Sequence, residues 1–291
     1  MTKLTNKHKL PLTVVNAIKQ VQSEYTGGKS DLSASGVTVS PRIYWLTKRH
    51  KGEITEDAAD LIWSVIGSLV HLILEKAATF TDGAKAEERL YKDVCGWKFS
   101  GQYDLVEGDT LYDYKITSYW SVINDPKFEW TAQANCNRLL LHEHGTEINN
   151  LEIVAILRDW QKSKAKIDKN YPQTQIKRIK LPVWTLEETE KYLIERITLL
   201  QSHEKTPDDD LPPCSLQDTW QDDDVFAVYK DTKAKRAAKL FDIGLDADVY
   251  AKQIGGFVVK REGTPKRCLD YCSVAKYCSQ GQEAIKKHGK E

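Results

Sequence analysis

Two aspartates on either side of a short turn constrain this chain more than any other feature. Residues 97–106 and 111–116 each have the pattern of a β-strand, and the four residues between them have the composition of a turn. With the turn centred midway between the strands, Asp104 lies directly opposite Asp113. The β-carbons of such a pair are about 4.5–5.5 Å apart, a separation at which two like charges destabilise a sheet.

A bound divalent cation would offset this repulsion, and ligation by oxygen alone favours Mg²⁺ or Mn²⁺. Side chains alternate along a strand, so Asp113 and Lys115 share one face. Lys115 is then placed to orient, or to help deprotonate, a water that attacks a phosphate held by the metal. The alternative for so short a motif is an ordinary exposed hairpin with solvated ion pairs.

A candidate third ligand lies upstream. Residues 56–76 predict a long helix that is apolar on almost every face and therefore buried. Gly67 and His71 are four residues apart and so lie on one stripe of this helix. Glycine allows close approach of backbone or substrate, which favours a ligand role for His71 over that of a histidine in the core.

The motifs occur together in an order that resembles RecB-like nucleases of the PD-(D/E)xK superfamily. The matching positions are Gly67-x3-His71, Gly101-x2-Asp104, Asp113-Tyr114-Lys115 and, on a helix predicted over 131–142, Gln133. The resemblance covers roughly residues 30–160. It implies an α/β fold with a restriction-endonuclease-like core, in which a mixed sheet is flanked by helices.

The resemblance also implies a role for each site residue. The metal ligands are His71, Asp104, Asp113 and the carbonyl of Ile116, and the catalytic set is Lys115, Asp113, Asp104 and Gln133. Lys115 is the catalytic lysine, and Gln133 positions that lysine or the DNA. Asn137 stands where the family has a tyrosine that holds the DNA strand.

Cysteines predict a second metal centre. Three of the six lie within eleven positions, as Cys268-x3-Cys272-x5-Cys278, and Cys214 is a candidate fourth ligand. Four thiolates suit either tetrahedral zinc or a [4Fe–4S] cluster. The remaining two, Cys95 and Cys136, are expected to be ordinary core residues.

A resemblance to CRISPR-associated RecB-like nucleases and to the AddB nuclease subunit favours the [4Fe–4S] cluster, with zinc as the alternative. Those proteins carry three closely spaced cysteines after the nuclease core and a first cysteine near the N-terminus, in a Cys-Pro-Arg-like context. This chain has Ser40-Pro41-Arg42 at that place. Cys214 is therefore predicted to supply the ligand from another part of the chain.

Composition bounds the class of protein and its location. The chain of 291 residues has 42 basic and 42 acidic residues, which excludes a uniformly basic, histone-like binder. The N-terminus lacks the pattern of a signal peptide, and the most apolar stretch, residues 61–74, is short for a membrane span. These features predict a protein of the cytoplasm, either of a bacterium or, for a phage protein, of the host cell. They also predict that the protein has no membrane partner.

The domain prediction is a nuclease core with an N-terminal helical region at residues 1–206 and a C-terminal appendage with the cysteine site at 207–291. Within the appendage, a helix is predicted over 233–240. Basic stretches at 162–180 and 230–239 are candidate phosphate contacts.

The predicted function is that of a metal-dependent DNA exonuclease in phage-type recombination, repair or end processing. Its partner is DNA, as linear ends or single strands; a homo-oligomer or a recombination protein remains open as a further partner. The alternatives are a non-catalytic DNA-binding protein and a zinc-stabilised interaction protein.

Overall fold

The computed structural model describes residues 3–24 and 29–289, which divide into two compact units. The larger unit is formed by Lys3–Val39 and Thr55–Glu204. The smaller unit combines Ser40–Ile54 with the chain from Lys205 onward. Residues 40–54, which the sequence prediction assigned to the N-terminal domain, therefore belong with the C-terminal part of the chain.

Helices and strands alternate along the described chain. The α-helices are α1 Leu12–Glu24, α2 Pro41–Arg49, α3 Ile62–Ala78, α4 Phe128–Glu143, α5 Lys162–Ile167, α6 Leu186–Ser202, α7 Gly244–Ile254 and α8 Ser279–His288. The strands are β1 Lys3–Thr5, β2 Leu32–Ser33, β3 Thr55–Asp57, β4 Lys85–Ala86, β5 Arg89–Val94, β6 Trp97–Gln102, β7 Leu105–Glu107, β8 Thr110–Thr117, β9 Asn150–Leu157, β10 Ile176–Lys180, β11 Val225–Tyr229, β12 Lys239–Phe241 and β13 Phe257–Arg261.

A mixed sheet organises the larger unit. Its five strands lie in the order β10-β9-β8-β7-β4, and the central β8 and β9 run parallel while their other neighbours are antiparallel. Helix α4 packs against β8, β9 and α6. Apolar side chains such as Leu111, Ile153 and Leu140 are almost wholly buried there and form the core. The predicted mixed α/β class is confirmed.

The aspartate hairpin has the predicted register. Leu105 pairs with Tyr112 and Glu107 with Thr110, so the same register puts Asp104 opposite Asp113. The single strand predicted over 97–106 is wrong, however, because β6 ends at Gln102 and belongs to another sheet, β2-β6-β5. Asp104 therefore lies where the chain passes from one sheet to the next.

Helix α3 departs from the prediction in its burial. Only Val65 and Ala78 of its residues are buried, whereas Leu69 and Ile73 are 50% and 64% exposed. The prediction of a buried helix is wrong because apolar composition does not guarantee that a partner element exists. By length and composition alone, the segment Ala58–Ala78 could cross a membrane, with a mean hydropathy of 1.5. The apolar segment is therefore longer than the predicted stretch of residues 61–74.

The smaller unit contains a second sheet. Three antiparallel strands lie in the order β12-β11-β13, and α7 packs against them. The helix predicted over 233–240 is wrong, because this segment forms turns that lead into β12.

Helix α6, in the larger unit, begins with a capping box formed by Thr185 and Glu188.

Candidate active site

Three potential metal ligands converge in the larger unit. His71 on α3 has its Nδ1 3.2 Å from Oε1 of Glu87 and 3.5 Å from Oδ1 of Asp104. One ligand atom from each of these residues lies within 4.8 Å of the others. The predicted ligands His71 and Asp104 are thus brought together, and the third member of the group is Glu87.

Sequence reasoning missed Glu87. This residue follows β4 and has a φ of 53°, a left-handed conformation that is uncommon for a residue with a side chain. Its Oε2 accepts a 2.6 Å hydrogen bond from Nε2 of Gln102, which fixes the carboxylate. The only sequence signal was an acidic pair, Glu87-Glu88, between two short strands, and such pairs are common on protein surfaces.

Asp113, Lys115 and Gln133 form a second group beside the first. Nζ of Lys115 lies 2.7 Å from Oδ2 of Asp113 and 3.3 Å from Oε1 of Gln133. Nε2 of Gln133 donates to Oδ1 of Asp113 over 3.0 Å. Gln133 thus holds both the lysine and the carboxylate. We call these residues together with His71, Glu87 and Asp104 the carboxylate site.

Electrostatics in the carboxylate site indicate excess negative charge. Burial, and then the charge of Asp113, raise the pKa of Asp104 to about 7, although His71, Lys115 and the amide of Tyr114 act in the opposite direction. The hydrogen bond to Glu87 raises the pKa of His71. Two carboxylates that face each other in this way are stabilised by a cation.

The carboxylate site fits a divalent cation. Imidazole and carboxylate donors suit Mn²⁺, and carboxylates suit Mg²⁺. Within the described chain, the buried Oδ2 of Asp113 has its ion pair with Lys115 but accepts no hydrogen bond of normal geometry. That oxygen thus has spare capacity to bind a metal. Ile116 lies on β8 next to Lys115, and the ligand role of its carbonyl stays a prediction.

The site opens into a cavity of about 520 Å³. His71, Glu87, Asp104, Lys115 and Gln133 line it, together with apolar side chains that include Leu69 and Leu72. Asn137 stands where the RecB-like nucleases that this chain resembles have a tyrosine. Its side chain is buried against β6. A β-carbon at Gly101 would lie 2.1 Å from its Oδ1, so the glycine permits this close packing.

The four cysteines of the predicted cluster line one pocket in the smaller unit, as do Arg42 and Arg267. We call Cys214, Cys268, Cys272 and Cys278 together with Ser40 and Arg42 the cysteine pocket. Oγ of Ser40 lies 3.2 Å from Sγ of Cys214. The serine at the family's first cysteine position is therefore in direct contact with the cysteine predicted to replace it.

Positive groups lie beside part of the cysteine pocket. Nη1 of the buried Arg42 lies 3.7 Å from Sγ of Cys278. Ser40 caps the N-terminus of α2, and Cys278 caps that of α8. Helix N-termini and a guanidinium favour anionic sulfur. Burial raises the pKa of Cys268 to about 11, so metal binding there would release a proton.

The other two cysteines differ from each other. Cys136 is fully buried in α4, as predicted for a core residue. Cys95 is exposed, and its φ of 49° places it in the turn between β5 and β6. The prediction that Cys95 belongs to the core is therefore wrong, because a tight turn holds it at the surface.

Comparison with known proteins found distant structural likenesses. No family model matches the chain, and no curated protein matches it. A solved structure of a protein named SSO0001 has 15% identity and a TM-score of 0.47, and the alignment covers 68% of this chain and 90% of that one. A "putative exonuclease" from Eubacterium rectale has 12% identity and a TM-score of 0.33, with coverage of 69% of this chain and 78% of that one.

Proposed function

We propose that this protein is a divalent-metal-dependent nuclease that hydrolyses phosphodiester bonds in DNA. The observation that carries the proposal is the carboxylate site itself. One open cavity holds a histidine and carboxylates suited to a cation, beside a lysine fixed by Asp113 and Gln133. This combination of acidic ligands and an oriented lysine is suited to attack on a phosphate by water.

His71, Glu87, Asp104 and Asp113 would hold the cation, which supplies charge to neutralise a phosphate oxygen and so favours attack at phosphorus. Lys115 would orient the attacking water with its ammonium group and offset the charge that develops on the phosphate. Gln133 would keep the lysine in that position by bridging it to Asp113. The apolar wall at Leu69 and Leu72 would contact the sugar and base of the substrate.

The finer proposal is an exonuclease of the recombination, repair or end-processing type, on the basis of the motif order from His71 to Gln133. The test is incubation of anaerobically purified protein with end-labelled linear DNA and with circular DNA, each with Mn²⁺. We expect degradation of the linear DNA alone, and none after addition of a chelator. Equal cleavage of circles would replace the exonuclease with an endonuclease, and no cleavage of either would refute the nuclease.

We also propose that the cysteine pocket binds one [4Fe–4S] cluster. The four cysteines line one pocket, and four thiolates suit either a [4Fe–4S] cluster or tetrahedral zinc. The resemblance to iron–sulfur nucleases is what favours the cluster. The free space between the side chains is about 10 Å³, so cluster binding requires them to move apart.

A further inference from the structure

The sheet of the smaller unit has one face covered and one face open. Phe226, Val228 and Val258 pack against α7. Side chains alternate along a strand, so the neighbours of these residues point to the opposite face. Register places Tyr229 beside Phe257 on that second face, and Ala227, which is itself buried, between Leu240 and Val259.

Apolar and aromatic side chains make up this open face, which we define by Leu240, Tyr229, Phe257, Val259 and Arg261. Leu240 is 52% exposed, Phe257 39% and Val259 38%. The rings of Tyr229 and Phe257 lie 5.8 Å apart with only 20° between their planes. The solvated face of an antiparallel sheet is normally polar, so this composition indicates a surface that meets another molecule.

Positive charge is concentrated at the aromatic end of the open face. The loop between β11 and β12 starts directly after Tyr229, and Phe257 pairs with Tyr229 at the same end. Within this loop, residues 230–238, the basic side chains are Lys230, Lys233, Lys235 and Arg236, against one acidic side chain, Asp231. Arg261 adds a further cation on the open face, with its guanidinium 5.8 Å from the ring of Tyr229.

We propose that the open face binds single-stranded nucleic acid. Bases stack on Tyr229 and Phe257, and phosphates contact the basic loop of residues 230–238. Aromatic platforms beside positive charge are the means by which proteins hold unpaired strands without reading their sequence. A duplex conceals the flat faces of its bases, so an aromatic pair discriminates in favour of single strands. That the strand is DNA rests on the proposed function.

The charge distribution favours this occupant over a second copy of the chain. Two copies that joined face to face with their aromatic ends together would also bring their basic loops together, and like charges repel. A polyanion meets the same loops with attraction, and it releases counterions as it binds. The open face therefore suits a nucleic-acid strand better than self-association.

The first test measures binding of a fluorescent oligothymidylate of about 20 nucleotides to the full-length protein in EDTA, where no cleavage occurs. We expect Phe257→Ala to bind about tenfold more weakly and Phe257→Tyr to bind as the wild type does. Leu245→Ala is the matched control, since Leu245 is 77% exposed but lies on α7. Circular dichroism confirms that each variant is folded. Unchanged binding by Phe257→Ala, or tighter binding of a duplex of equal length, overturns the proposal.

The second test addresses the basic loop. The triple variant Lys233→Gln, Lys235→Gln and Arg236→Gln should lower the slope of log affinity against log salt by about 2, since each phosphate contact contributes about 0.7 for single strands. Lys191→Gln on α6, whose side chain is 79% exposed, is the control and should leave the slope unchanged. Equal slopes in the triple variant and the wild type would contradict the proposal.

A third measurement separates this inference from the nuclease proposal. Hydrolysis of bis(p-nitrophenyl) phosphate with Mn²⁺ depends on the carboxylate site and needs no base stacking. We expect the same rate in the wild type and in Phe257→Ala, which would show that the open face acts in binding alone. Loss of bis(p-nitrophenyl) phosphate hydrolysis in Phe257→Ala would overturn the inference that the open face acts in binding alone. If the wild type binds the oligonucleotide yet hydrolyses nothing, the nuclease proposal fails and the binding face stands.

Discussion

The carboxylate site and the cysteine pocket differ in what holds their ligands in place. In the carboxylate site, Asp104 and Asp113 are positioned by the register of a hydrogen-bonded hairpin, and Gln133 lies on a long helix. In the cysteine pocket, Cys268, Cys272 and Cys278 lie in or beside single helical turns. The ligands of the first site are therefore positioned by regular secondary structure, whereas the second would depend on the proposed metal centre for its shape.

This difference separates chemistry from stability. Loss of a ligand from the carboxylate site relieves repulsion in a framework that folds without it. Loss of a ligand from the cysteine pocket would remove the proposed centre, which would hold irregular segments together. Variants in the two sites should therefore fail in opposite ways, one in catalysis with the fold intact and the other in folding with the reactive residues intact.

The largest effect is expected at Asp113. Asp113→Ala should lower DNA cleavage by about 10²–10³-fold or more, because the variant loses a ligand and the partner that fixes Lys115. Without metal, its thermal stability should be unchanged or slightly raised, since repulsion with Asp104 disappears. A nuclease assay with labelled linear DNA and a thermal melt measure both. Lys115→Ala should lose cleavage in the same way. Glu195→Gln, on the exposed side of α6, serves as the control. Wild-type cleavage by Asp113→Ala would show that Asp113 is not part of the carboxylate site.

Substitutions in the cysteine pocket should lower stability, whereas those in the carboxylate site should lower catalysis. Cys214→Ser should lose the metal centre and melt at a lower temperature, whereas Cys95→Ser should keep both. Since Ser40 and Cys214 are in contact, the swapped variant Ser40→Cys/Cys214→Ser should recover the metal, because the thiol moves by only one side chain. Metal analysis and visible absorption of anaerobic protein provide the measurement. A brown protein that keeps its cluster in Cys214→Ser would exclude Cys214, and a colourless protein with stoichiometric zinc would decide for zinc.

A third prediction concerns pH. The folded-state pKa of Asp104 is raised to about 7 from an ordinary 3.8, so the folded chain binds a proton more readily than the unfolded chain does. The stability of the metal-free protein therefore falls as the pH rises from about 4 to about 7, and the loss is complete above that pH. Without metal, Asp104→Asn should exceed the wild type in free energy of unfolding by about 2–4 kcal/mol at pH 8.

That difference should shrink to near zero at pH 4, where the wild-type carboxyl is protonated. Urea unfolding of both proteins across this pH range gives the values. Saturating Mn²⁺ at pH 8 should reverse their order, because the wild type alone gains the full binding energy. A stability difference that does not vary with pH would mean that Asp104 titrates normally.

The smallest effect is expected at Glu87. Glu87→Gln should weaken Mn²⁺ binding about tenfold in a calorimetric titration, since one carboxylate of the carboxylate site is lost while its hydrogen bond to Gln102 can remain. Glu88→Gln is the matched control, because Glu88 bonds to Tyr103 instead. Equal Mn²⁺ affinity in Glu87→Gln and the wild type would mean that Glu87 is a hydrogen-bond partner of His71 and not a metal ligand.

Sequence reasoning succeeded where geometry is local. The register that places Asp104 opposite Asp113 follows from a short turn and the two-residue repeat of a strand. It depends on residues close together in the chain. The contact between His71 and Asp104 was anticipated through motif order, which carries three-dimensional information from other proteins.

It failed where distant segments decide the outcome. Glu87 becomes part of the carboxylate site only because the chain turns there through a left-handed conformation, which no neighbouring residue signals. The exposure of α3 depends on which elements pack beside it, and its apolar sequence is compatible with either result. The assignment of Ser40–Ile54 to the smaller unit likewise depends on partners more than 150 residues away, such as Cys214, 174 positions later.

That assignment sets the order of events during synthesis. Arg42 lies 236 positions before Cys278, its partner in the cysteine pocket. At about 5–20 residues per second, the ribosome needs roughly 10–50 s to make the intervening chain. Helix α2 therefore waits without this partner for that time. The cysteine pocket can be completed only after Cys278 has left the ribosome.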